Sequence, residues 1–209
     1  MMKSSLNLKR IALPLAAGLA ALGAGAATAG VESTKAADVA AGTYQIDPSH
    51  TSVAGRIDHL GFSTTTIRFA KSAGEFTYDP AHPEDATLSV TVDTKSLSTD
   101  WEARDNELKG PMFFNTDKFP TATFTADSLT KLDDNHARVD GELTLLGVTR
   151  PVEMDVTLRG TGKGMMGDTR AGFEAHMTIQ RSDFGMKAYV PAVGDKVGLS
   201  IDAEFVKKN

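Results

Sequence analysis

The side chains of this 209-residue chain that could do acid–base or ligating chemistry are scattered. Its five histidines are His50, His59, His82, His136 and His176. None forms an H-x-H or i, i+4 pair, the spacings that let one element present two imidazoles to a metal, so no metal site is expected. His82 between Pro80 and Pro83, and His136 after Asp133-Asp134-Asn135, fall in turn sequences that face solvent. His59 is in phase with Gly55 and Ile57 and is expected inward as a satisfied core imidazole. His176 is out of phase with Phe173, Ala175, Met177 and Ile179. Cysteine is absent, which removes disulfides, thiolate ligands and cysteine nucleophiles. There is no nucleophile elbow, P-loop or dinucleotide fingerprint, and the Gly160–Gly164 stretch precedes no expected helix. No catalytic residue is assigned, and the chain is read as a binding protein.

One polar pair stands out. Thr99-Asp100-Trp101-Glu102 reads as a capping box, and Gly110-Pro111 as the stop of a helix about ten residues long. Trp101, Arg104, Asp105 and Leu108 then share a face at i, i+3, i+4 and i+7. This face could offer a polar contact at a pocket mouth. It could equally hold an Arg104–Asp105 ion pair that orients the helix while Trp101 and Leu108 plug the end of the core. The second is favoured, since pairing lowers the cost of half-burying both charges.

The elements around that helix alternate with period two, the pattern of strands buried on one face. Leu88, Val90 and Val92 alternate with Ser89, Thr91 and Asp93. Val152 to Leu158 and Val197 to Phe205 do the same, and weaker versions run through residues 53–59, 67–69, 76–78, 122–126, 139–145 and 173–179. Eight or nine short strands separated by turns such as Asp79-Pro80 and Gly147 predict an all-β fold. An eight-stranded barrel is wide enough to fill itself with side chains or to hold one slender ligand, and periodicity alone does not choose. If it is hollow, His59, Phe69, Phe76, Val90, Phe113, Phe114, Phe124, Met154 and Met177 are the expected lining.

Lys3, Lys9 and Arg10 followed by an uncharged apolar run from Ile11 to Leu22 and by Ala27-Thr28-Ala29 predict a signal peptide over 1–29, hence a periplasmic protein. Residues 30–42 are expected as a mobile leader and 43–209 as the folded domain. The net charge of −5 becomes −8 without the three basic residues of the signal. That charge leaves no footprint for nucleic acid.

Several motifs resemble the YceI-like family. Gly141-Glu142-Leu143-Thr144-Leu145-Leu146-Gly147-Val148-Thr149-Arg150-Pro151-Val152 is similar to its G-x-L-T-x-x-G-V-T-x-P-V signature. Ile179-Gln180-Arg181-Ser182-Asp183-Phe184-Gly185-Met186 is similar to I-x-R-S-D-F-G-M, and Val193-Gly194-Asp195-Lys196-Val197 to V-G-D-x-V. Asp47-Pro48-Ser49-His50-Thr51 resembles the D-x-x-H-S/T entry, and Arg104-Asp105 through Phe113-Phe114 resembles R-D-x-H-L and F-F-D, with Glu107 and Asn115 as departures. The resemblance implies an antiparallel eight-stranded lipocalin-like barrel with one short helix. It also implies a long-chain lipid ligand, a polyisoprenoid, quinone tail or fatty-acid derivative, and no cofactor beyond such a lipid; the alternatives are an accessory that presents a bound quinone to a membrane redox enzyme and a structural or stress-related barrel with a filled core. Trp101, Arg104 and Asp105 join the expected ligand-binding set on this reading. Loading would involve transient contact with the inner membrane, and the strand edges are compatible with a homodimer.

Overall fold

An alternating strand can satisfy both of its faces only if one is turned to a core and the other to water. In the computed structural model, which describes residues 29–209, that rule produces twelve strands. They are β1 (Gly30–Ser33), β2 (Gly42–Ile46), β3 (Ser52–His59), β4 (Ser63–Phe69), β5 (Ser72–Tyr78) and β6 (Thr87–Asp93). After them come β7 (Leu97–Ser98), β8 (Thr121–Lys131), β9 (His136–Leu145), β10 (Val148–Lys163), β11 (Thr169–Gln180) and β12 (Val193–Lys207). Between β7 and β8 lies α1 (Glu102–Lys109).

These strands make the eight staves of a closed antiparallel barrel, because three staves are each kinked into two strands. β2 and β3 run in succession along β12, with Ile46 opposite Phe205 and Val53 opposite Ile201. β5 and β4 pair with β2 and β3 in turn, and β6 and β7 pair with β5 and β4. β8 to β12 follow, each antiparallel to the one before, and β12 closes on the first stave. The order is a simple up-and-down meander, and closing it leaves no long edge exposed. Polar side chains set two of the kinks: Asp47 accepts from the Ser49 N–H at 3.0 Å, and Asp93 from the Lys95 N–H at 2.9 Å, each turning one residue group out of the ladder.

Inward positions follow the alternation. On β12, Val197, Leu199, Ile201, Ala203 and Phe205 face the interior, and on β11 Phe173, Ala175, Met177 and Ile179 do so. On β8 the inward parity changes from Phe124 and Ala126 to Leu129, because the register with β9 shifts between Thr125 and Ser128. An extra residue there moves the following side chains to the other face.

Two expectations are corrected. The leader over 30–42 is built into the fold: β1 adds to the free end of β10, Val31 lying opposite Gly162, and Val39 is only 3% exposed. Its small residues hid one apolar anchor and a strand too short to show alternation. The capping box is also absent. Trp101 is the N-cap, with no side-chain cap, and the helix has eight residues. Thr99 is instead held by Asp105, whose Oδ1 accepts from the Thr99 N–H at 2.7 Å and its hydroxyl at 2.6 Å. The expected signal segment lies, apart from Ala29, outside the described residues.

Candidate functional site

The barrel is hollow. Its inward faces enclose a cavity of about 450 Å³, a size typical of small-molecule sites. Its wall is overwhelmingly hydrocarbon, with Val90 from β6, Met154 from β10, Met177 from β11 and Phe124 from β8 along its length. Gly141 of β9 makes room for one of these. A Cβ there would sit 2.6 Å from Cζ of Phe124, so the absence of a side chain at Gly141 leaves the space that the tip of the ring occupies.

The two ends are closed differently. At the end under β1, Tyr44 stacks on Phe76 with ring centroids 4.6 Å apart, and Phe76 meets Phe205 and Phe173 edge-on at 4.9 and 5.3 Å. Edge-to-face geometry of this kind adds to the stabilisation from burial alone. Tyr44 is fully buried and satisfies its hydroxyl by donating to the Ala40 carbonyl at 2.7 Å. Outside this plug, Arg170 donates to Asp47 at 2.8 Å, to Asp168 and, over a very short contact, to Glu204. The arrangement ties the first kink to β11 and β12. Hydrogen bonds from Ser49 and His50, with Arg170 adding to them, hold the Asp47 carboxyl far below the usual carboxylate range. The same Asp47 raises His50 above the ordinary imidazole value.

Asp47, His50 and Glu204 bring three ligand atoms within 4.8 Å of one another, a grouping that sequence spacing does not reveal. The guanidinium of Arg170 sits between the two carboxylates and supplies the positive charge a metal would bring. The group is a structural staple.

At the other end the cavity reaches the last residue of β3, α1 and the loop between β11 and β12. Phe69, Phe113 and Phe114 line it there, Phe69 and Phe114 meeting edge-on at 5.6 Å. His59 also lines it but is exposed at the mouth, a correction to the expected core imidazole, since it is the last residue of β3 and the barrel ends beside it. Arg104 lines the wall, whereas Asp105 and Trp101 do not, and Trp101 is 65% exposed. The expected Arg104–Asp105 ion pair does not form. Thr99 stands between the two, its hydroxyl accepting from Arg104 Nε at 2.8 Å while it donates to Asp105. Of the twelve residues expected to bind ligand, ten therefore surround one cavity and two stand outside it.

Sequence reasoning missed Arg181. It is 2% exposed, lines the cavity and donates to four backbone carbonyls, those of Met186, Ala188, Val193 and Gly194, at 2.8 to 3.0 Å. It thereby folds the loop between β11 and β12 over the cavity. Burial depresses its pKa, with Asp195 opposing that shift. A charged side chain is rarely buried to this degree, and its partners are main-chain atoms that no side-chain pattern signals.

Comparison with known proteins gives a consistent picture. The family model described as YceI-like domain matches residues 44–205. The chain is 38% identical over 175 residues to Protein YceI of Escherichia coli O157:H7, covering 83% of this chain and 91% of that one. Among solved structures it is similar to the YceI protein of Campylobacter jejuni, with a TM-score of 0.66 and 31% identity over 73% of this chain and 90% of that chain. It also shares its fold with a polyisoprenoid binding domain from Saccharophagus degradans, with a TM-score of 0.63, 14% identity and coverage of 79% and 98%.

Proposed function

Since this chain belongs to the YceI-like family, we propose that it holds the tail of a long-chain lipid inside the barrel, as a periplasmic carrier, store or sequestering protein without turnover of its own. The observation that carries this reading is the continuous apolar cavity of about 450 Å³ running from the aromatic plug to α1. Polyisoprenoids, quinone tails and fatty-acid derivatives all fit its chemistry. Each methylene-sized group moved from water into such a wall contributes about 0.8 kcal/mol, so a long tail binds tightly. Measured from a bilayer the gain largely cancels, which lets the protein load and unload.

The mouth supports loading from a membrane. Leu60 and Phe62 in the turn after β3, Met112 after α1, and Tyr189 and Val190 in the last loop are all exposed large hydrophobic residues. The loops are neighbours: the Leu60 N–H donates to the Ala192 carbonyl at 3.0 Å, and the rings of Phe113 and Tyr189 lie 6.0 Å apart. Apolar side chains grouped at one rim mark an interaction surface.

The test is mass spectrometry of an organic extract of the protein purified without delipidation. A long-chain lipid near one per protein is expected. Repeated extraction without one, together with no uptake of added polyprenol or fatty acid, overturns the proposal.

A further inference from the structure

Two guanidinium groups reach a wall that is mostly hydrocarbon; Lys131, which also lines it at the end of β8, is paired with Asp134 at 3.7 Å. Arg181 spends four of its five N–H groups on carbonyls: Nε on Gly194, Nη2 on Ala188 and Val193, and Nη1 on Met186. One Nη1 N–H remains. None of these partners carries a formal charge, and the nearby Asp195 is bound to the backbone N–H and hydroxyl of Ser182 at 2.9 and 2.7 Å. Arg104 gives Nε and Nη2 to Thr99 and, among the described residues, makes no hydrogen bond from Nη1. Arg104 sits on α1, and the loop that Arg181 secures touches Phe113 just beyond α1 through Tyr189. Both arginines therefore belong to the same end of the cavity. Glu107 is the acidic residue on this wall, and it is exposed to solvent where its charge is screened.

A buried cation whose hydrogen bonds all go to carbonyl dipoles, with the Asp195 charge outweighed by the cost of burial, still gains from a directly bound anion in a medium where charge interactions are strong. A tail seated in the barrel would bring its polar terminus to this end, because at the other Tyr44, Phe76, Phe173 and Phe205 pack on one another and the lining ammonium of Lys131 already has Asp134 as its partner. We propose that the lipid carries an anionic terminus, a carboxylate or a phosphate, and that Arg181 and Arg104 receive it at the α1 end. This rests on the lipid-binding reading and narrows it to acidic amphiphiles. Charge-assisted hydrogen bonds to a guanidinium are the strong ones, and a planar guanidinium suits either oxyanion.

The experiment offers delipidated full-length mature protein equimolar pairs matched in chain and differing in head: hexadecanoic acid with hexadecanol, and geranylgeranyl phosphate with geranylgeraniol. Native mass spectrometry reads the bound ratio. An acid-to-alcohol ratio of roughly ten or more is expected in at least one pair, and the favoured pair tells carboxylate from phosphate. Arg104→Gln should lower the ratio several-fold and Arg181→Lys should retain more of it than Arg181→Met. Equal binding of acid and alcohol in both pairs by the unmodified protein overturns the inference while leaving lipid binding intact. Binding of neither member overturns the lipid-binding reading, and this inference with it. Because the decisive ratio comes from the unmodified protein, a variant that fails to fold does not blunt the test.

Discussion

The two ends of the barrel use the same eight staves for opposite purposes. Under β1, four aromatic rings interlock, the buried Tyr44 hydroxyl is satisfied, and outside them Arg170 meets three carboxylates. Around α1, two arginines on the cavity wall meet no carboxylate directly among the described residues, His59 stands at the rim, and large apolar residues face water. The first end satisfies its groups and gains rigidity. The second leaves charge and apolar surface without partners, which is where a ligand has something to gain.

If that contrast is real, substitutions at the plug should damage stability and substitutions at the mouth should damage binding. The largest effect is expected from Phe205→Ala, which removes a 4%-exposed ring that meets both Phe76 and Phe173. Its cost should be about 3–5 kcal/mol in urea unfolding, as for other buried aromatic truncations. Next is Gly141→Ala, whose new methyl would overlap the Phe124 ring and the Thr125 carbonyl. Overpacking there should cost about 1–3 kcal/mol and, by pushing the ring inward, reduce lipid uptake as well.

The staple outside the plug should show itself in pH dependence. Asp47 has a folded pKa below its unfolded value, so its stabilisation is complete above the ordinary carboxylate range and is lost as pH falls through the folded value. His50 has a raised pKa, so its contribution is full below the unfolded imidazole value and is lost as pH rises through the folded one. The pair should stabilise most between roughly pH 4 and 6.5. Melting temperature measured against pH should peak in that window, and Asp47→Asn should flatten the peak. The smallest stability effect belongs to the rim. Phe62→Ser, at a side chain 89% exposed, should change stability by less than about 0.5 kcal/mol yet slow lipid transfer from vesicles. Unchanged transfer would remove the rim from the account of loading.

Much of this contrast could be read in the residues beforehand, and its limits have physical reasons. The long alternations of β10, β11 and β12 are visible because each strand keeps one face wet and one dry for most of its length. The first stave reads poorly since Arg56 and Asp58 crowd its outer face and Asp47 kinks it. Trp101 was expected inside on hydrophobicity, but a helix of eight residues capped by its backbone alone leaves it at the surface. The separation of Arg104 from Asp105 depends on the hydroxyl of Thr99, five residues before the arginine, and helical spacing does not register such a bridge. Arg181 escaped because its burial is set by main-chain carbonyls of its own loop, the first of them five residues later.

The central claim is that the hollow exists to be occupied by an apolar chain. A crystal structure of the protein purified without delipidation tests it most directly. The account predicts continuous, elongated density from beside Phe76 to the neighbourhood of Arg181 and Arg104, with its polar end at the arginines. Side chains closed over the interior, leaving no void from plug to mouth, would contradict it.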